Sequence, residues 1–318
     1  MVITRRDLRA WRVGPVMYKW FIRHFPDGGS YADVHRTLQF AGYADWANSL
    51  VEYAWTKWLS EESFVRQDIG TMDFLANALT PPNAVFPHDA ESVAPCFSKL
   101  STVKDKEQLA NAENSAQICS AGDNVRLGCA GDNVKAASAG THSYIGSTGD
   151  NGWLSSAGYA TQIASAGYGV RIGSVGYNAH IGSSGDRARV VVAGNSTRVS
   201  SAGNSTRIAN TGMRVRVSTL GSRSNIASAG DLSHITCFGE QPKIANSGDN
   251  VHIVASGEHA VIASVGHVDS IILGPGGCAA LAYHDGVRTR FAVAIEGENN
   301  IQAGVKYRLN EHHQFVAC

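Results

Sequence analysis

The residues in this 318-residue chain that could do chemistry are cations and aromatics at one fixed spacing. A single position recurs every nine residues and holds Arg126, Lys135, Tyr144, Trp153, Gln162, Arg171, His180, Arg189, Arg198, Arg207, Arg216, Asn225, His234, Lys243 and His252. Residues 151–230 carry eight arginines against one acid, Asp186, inside a chain of zero formal net charge. Guanidinium forks pair with carboxylates and phosphates. Like charges stacked at strand spacing repel, so an acidic partner would relieve such a ladder. A charged column also serves to keep exposed strands from associating. Tyr159, Tyr168 and Tyr177 accompany the arginines in a neighbouring column. Arginine interleaved with aromatics suits protein hot spots and nucleic acids alike. The expected contact surface is Trp153, Tyr159, Arg171, Tyr177, Arg189, Arg198, Arg207 and Arg216, facing an acidic protein, with direct nucleic-acid binding as the alternative.

Other chemistries find less support. There is no Gly-x-Ser-x-Gly, no HExxH and no phosphate-binding loop. Asp123, Asp132, Asp150, Asp186, Asp231 and Asp249 each follow a repeated glycine, where turn chemistry accounts for an acid. No catalytic residue and no cofactor is expected. A calcium-loaded nonapeptide roll needs Asp two residues before its inward aliphatic. That position here holds Val125, Val134, Thr161, Ala179, Thr197, Thr206 and Val251. His234 and His252 should lie one coil apart on one face, with no third ligand in register, so no metal site is expected. The six cysteines form no CxxC pair, and Cys129 and Cys237 stand in a column otherwise mostly serine, as small buried thiols. That usage, with no signal-like leader and no apolar stretch long enough to span a bilayer, points to the cytoplasm.

The elements that carry these residues follow from a grid. Seventeen glycines recur every nine residues from Gly122 to Gly266, and an aliphatic residue follows each by five positions, with Ala136 the one departure. A repeat this short is a stacked solenoid. Gly suits a corner needing positive φ, and the third and fifth positions after it alternate with polar residues as inward-facing strand positions. Two repeats should close one coil of 18 residues, giving two parallel sheets and a rod of about 40 Å at ~4.8 Å per coil. The position six after Gly is very small (Gly128, Ala137, Gly146, Ala164, Gly173, Gly182, Ala209, Ala227, Ala245, Ala263), a flat surface that permits a homodimer.

Residues 1–79 concentrate five of the six tryptophans. Thr4…Asp7 and Ser30…Asp33 mark helix starts at capping-box spacing, predicting helices near 4–24, 30–41 and 43–60. Pro81, Pro82 and Pro87 mark a linker over 80–112. Residues 113–274 form the solenoid. Residues 275–318 leave the grid, with strands at Cys278–Tyr283, Arg290–Ile295 and Lys306–Leu309, and should cap its end. The expected fold is mainly β: a nonapeptide-repeat parallel β-solenoid of β-roll type, with an N-terminal α-helical domain and a C-terminal β cap.

The Ser-Ala-Gly-Asp-type repeat, Gly277-Cys278, Ala292–Gly297, Tyr307-Arg-Leu309 and terminal Phe315-Val316 resemble a family of repeat proteins common in phages and prophages. The Trp20-Phe21…Phe25-Pro26…Asp45-Trp46 segment resembles a leader shared by phage accessory proteins. The resemblance implies a non-enzymatic accessory protein that binds a host macromolecule in the cytoplasm, as an anti-defence inhibitor. Replacing the inward Ile181 or Ile208 with Asp should abolish cooperative thermal unfolding of the rod, because an unpaired buried charge costs several kcal/mol. Circular dichroism of the full chain across a melt checks this.

Overall fold

A computed structural model describes residues 1–79 and 99–318; the linker prolines and Cys96 lie outside the described residues. The chain divides into two units, Met1–Thr71 and Met72–Cys318.

Helices dominate the first unit: α1 Arg5–Ala10, α2 Pro15–His24, α3 Tyr31–Phe40, α4 Ala44–Trp58 and α5 Glu62–Leu79, the last continuing past the unit boundary. Both capping signals hold. The Asp7 carboxylate accepts the Thr4 N–H at 2.9 Å, and Ser30 Oγ accepts the Asp33 N–H at 3.1 Å. The helix expected over 4–24 is two helices. Arg12 turns to φ 53° and Gly14 precedes Pro15, which starts α2 without needing an N–H. Helix α5 lies beyond those expected from the aromatic spacing. Leu8, Phe21, Val34, Leu38, Leu50, Trp55 and Phe64 are buried, and the Tyr31 hydroxyl donates to the buried Asp68 carboxylate at 2.7 Å.

In the second unit, four-residue strands stack in parallel with partners 18 residues apart, as in Gln162↔His180 and Ile172↔Val190. Two repeats therefore make one coil. About ten coils form two 12-stranded sheets, one starting at Lys99–Thr102 and the other at Gln108–Asn111. The third, fifth and seventh positions after each glycine point inward. Val125, Leu127 and Cys129 show the pattern, all with no exposed surface. The seventh column is the serine column, so Cys129 and Cys237 are buried thiols as expected, and burial pushes both up to about 12.

The grid glycines are needed for a reason other than the one expected. None of them has positive φ; that conformation belongs to the residue two positions later, from Asn124 to His259. A Cβ added to a grid glycine would instead stand 1.8–2.4 Å from a carbonyl oxygen of the corner 18 residues earlier. Glycine is there because backbones touch. This also explains the start of the solenoid. Stacked strands already begin at Lys99, inside the expected linker, and Lys104 and Glu113 occupy the two preceding grid positions. Their carbonyls are what Gly122 and Gly131 approach, both at 2.1 Å. No described coil lies beneath Lys104 or Glu113, so among the described residues their side chains meet no such carbonyl.

At the far end, Cys278–His284 extends one sheet and Thr289–Ile295 pairs antiparallel to it. Lys306–Leu309 and Phe315–Ala317 extend the other. Ala294, Ile301 and Tyr307 join the solenoid core, so this segment does close the rod. Gly194→Ala should lower stability by about 3 kcal/mol or more, since its Cβ would meet the Gly176 carbonyl oxygen at 1.8 Å. Leu232→Gly should raise stability by about 1 kcal/mol, since Leu232 holds φ 57°. Denaturant midpoints of the two variants test the distinction.

Candidate partner-binding face

The cationic column divides between the two sheets, because successive repeats alternate sheets. On the sheet that begins at Lys99, Lys135, Trp153, Arg171, Arg189, Arg207, Asn225 and Lys243 stand in register and are all exposed. This is the open sheet. Trp153 is 51% exposed and lies between two cations: the Arg171 guanidinium carbon is 4.5 Å from its ring centre and Lys135 Nζ is 6.0 Å. Each contact is an attraction between positive charge and ring face. Arg189 and Arg207 continue the row with no acid in register.

Beside this row runs a shallow groove of about 570 Å³. Arg189, Arg207, Asn225 and Lys243 form one rim, and Val191, Ala209, Ala227, Ala245 and Ala263 supply the exposed floor. The small sixth column is therefore a surface on this sheet.

The other sheet differs. Tyr144, Gln162, His180 and Arg198 are 8%, 2%, 1% and 1% exposed. The sixth column there is covered too, with Ala164 at 3% and Ser200 and Ser218 at 0%. Met72, which groups with the solenoid unit, is fully buried against Ala164, and a Cβ on Gly182 would stand 2.4 Å from its Cβ. Arg198, expected on a contact surface, is thus enclosed, with Nη1 donating to Asn178 Oδ1 at 2.9 Å. Arg216 is half-buried, and desolvation holds its pKa below the usual arginine value. Strand alternation points both outward, yet Arg198 is enclosed and Arg216 half-buried.

The tyrosines also separate. Tyr159 and Tyr177 stack at 5.8 Å and 6° on the corner leading away from the open sheet. Tyr168 lies on the opposite corner, which leads into Arg171, and the Arg187 guanidinium carbon is 5.5 Å from its ring centre. Of the eight expected contact residues, Trp153, Arg171, Arg189 and Arg207 form one open row. Tyr159 and Tyr177 lie at the far corner, and Arg198 and Arg216 lie on the covered sheet. Tyr168 and Arg187 belong beside the open row. The alternation of corners with the nine-residue period was the signal that could have placed them.

The corner acids have structural partners. Asp123, Asp132, Asp150, Asp186, Asp231 and Asp249 each accept, at 2.7–2.8 Å, the backbone N–H one coil later. Asp269 is different. Its grid position is an inward one, where Val251 and Ala260 are fully buried. A bulge between Val251 and His252 sends Val268 inward instead, and Asp269 is the extra residue. Its carboxylate lies 3.4 Å from His252 Nε2 and 3.5 Å from His267 Nδ1. His252 Nδ1 shares a hydrogen bond with Ser270 Oγ at 2.8 Å, but Ser270 is 5% exposed and is not an accessible nucleophile. The His234 and His252 rings are 4.7 Å apart. Among the described residues no group of three or more His, Cys, Asp or Glu has the arrangement to hold a metal ion. No described helix is long and apolar enough to cross a membrane.

Fold and face together define a β-solenoid protein with a helical N-terminal unit and one open cationic sheet. Residues 1–59, which include the Trp20…Trp46 leader, match the YdhT N-terminal domain. The "Uncharacterized protein YdhT" of Escherichia coli strain K12 is 67% identical over 318 residues, 100% of both chains. The chain belongs to the YdhT family. No solved structure matches it.

Burial first, then the charges of His252 and Arg216, push His234 from its ordinary 6.5 down to about 4. Burial likewise lowers His252, against the attraction of Asp269. The unfolded chain protonates these rings near pH 6.5 and the folded chain does not, so stability present above that pH is lost as pH falls toward 4. With the exposed part of the ring discounted, His234→Gln should remove roughly 1–2 kcal/mol of that loss. Melting temperatures of both proteins at pH 7.5 and pH 4.5 supply the comparison.

Proposed function

We propose that this chain is a non-enzymatic binding protein whose open sheet holds an extended acidic segment of a bacterial cytoplasmic protein. The observation that carries this reading is the Lys135–Trp153–Arg171 stack continuing into Arg189 and Arg207 beside an alanine-floored groove. Carboxylates would engage the guanidinium row, and small apolar side chains between them would lie in the groove. Cation pairing already pre-orders the Trp153 ring, so less side-chain freedom is lost on binding. The phage-accessory resemblance of the repeat, leader and cap supports an inhibitory, anti-defence role toward that protein. Exposed Trp153 and Tyr168 beside arginines also favour a second reading, single-stranded nucleic acid stacked on the same row.

The test is fluorescence anisotropy of a labelled alternating Glu-Ala peptide and of a single-stranded oligonucleotide, at low and high salt. The full chain should bind the peptide, and the Arg171→Glu/Arg189→Glu/Arg207→Glu variant should bind it at least about tenfold more weakly. Arg189→Glu alone should weaken binding while raising the melting temperature slightly, since it places an acid between Arg171 and Arg207. Tighter binding of the oligonucleotide would transfer the function to the nucleic-acid reading. Undiminished peptide binding by the triple variant would make the row a solvated face.

A further inference from the structure

The open sheet ends in an unguarded strand. Thr289–Ile295 is seven residues long, where most solenoid strands have four, and no described strand pairs with its outer side. The direction of its hydrogen bonds follows from three contacts. Glu296 N–H donates to Gly277 O, and Asp285 N–H donates to Arg288 O. Cys278, which faces Ile295, instead sends its N–H to Ala260 on the other side. Alternate residues of an antiparallel strand bond to alternate sides. Even-numbered residues of this strand therefore bond inward, and Phe291 and Val293 direct N–H and C=O to the open edge. Their side chains are apolar and 53% and 57% exposed, with Ile295 at 39%. Natural edges of this length carry a lysine, a proline or a bulge at such positions.

The residues along the edge select its occupant. We propose that a second copy of this chain pairs with it, antiparallel, about a two-fold axis at Val293. In that register Val293 faces Val293 of the second copy, and Phe291 faces Ile295 of the second copy. Arg290 falls opposite Glu296, the pair occurring twice by symmetry. Sliding the copies by two residues in either direction takes Arg290 away from Glu296. Arg290 already bonds Asp285, and Glu296 accepts the Gly276 N–H at 2.9 Å, contacts toward the inner strand that pairing would share or exchange. The union would run the open sheets of two protomers together as one. It is independent of what binds the arginine row.

Light scattering of the full chain at micromolar concentration should give twice the 33.7 kDa chain mass. Val293→Lys, which sets two like charges on the axis, should give a monomer with an unchanged melting temperature, since Val293 is mostly exposed. Arg290→Glu should weaken the dimer at least tenfold, and adding Glu296→Arg should restore it. A further pair of variants reads the register without requiring dissociation. Oxidised Val293→Cys should form a covalent dimer, because facing hydrogen-bonded residues stand about 5.5 Å apart at Cα, within disulfide reach. Phe291→Cys should not, because it faces Ile295 and not itself. A monomeric wild type, a dimer untouched by Val293→Lys, or equal crosslinking by the two cysteine variants would each overturn the proposal.

Discussion

The solenoid depends on the passage of each corner glycine across the carbonyl of the corner one coil earlier. No other side chain fits, because the obstacle is backbone and cannot rotate away. Once that contact recurs every 18 residues, the register of everything else is set. Inward positions stack on inward positions, and each strand hydrogen-bonds to its equivalent. Left-handed residues follow the glycine by two, and their N–H groups reach carbonyls in the next coil, as Asn124 does to Thr141 at 2.8 Å. Where Asp or Asn follows the corner position, its side chain accepts a further backbone N–H one coil later, as Asp186 does from Asn204. Such corners pair these backbone donors within the protein, which suits coils packed this tightly.

Exact stacking has an electrostatic cost. Identical positions become ladders, and a ladder of arginines about 4.8 Å apart is repulsive. The YdhT-family chain carries this strain unevenly. Trp153 interrupts the row at one end and takes a cation on each face, and Asn225 dilutes it further along. Arg171, Arg189 and Arg207 remain consecutive in a chain with enough acids to have separated them. Asp123, Asp132, Asp150, Asp186, Asp231 and Asp249 are spent at corners, each holding a backbone N–H, so they do not neutralise the row. A surface that stays cationic for that reason is suited to meeting carboxylates.

The same logic explains Asp269. One residue at odds with an inward column would bury a carboxylate, and the backbone bulges to avoid it. The displaced acid lands against His252 and His267, next to a histidine whose burial already suppresses its charge. A single irregular residue thus produces a cluster of titratable side chains on that sheet, just where the repeat gives way to the cap.

Much of this was legible in the sequence because the constraint repeats locally. The nine-residue glycine grid, the inward isoleucines and the buried cysteine column could be read directly, as could two repeats per coil and the capping strands. The first coil was missed because Lys104 and Glu113 stand at its grid positions in place of glycine. The helix 4–24 reading failed at Arg12–Pro15, where one left-handed residue outweighed a continuous apolar spacing. Strand alternation gave both halves of the cationic column the same outward direction. Only tertiary structure decided that Arg171, Arg189 and Arg207 are open while Arg198 is enclosed. Period encodes which way a side chain points, whereas exposure depends on contacts between residues far apart in the chain, and those leave no period to read.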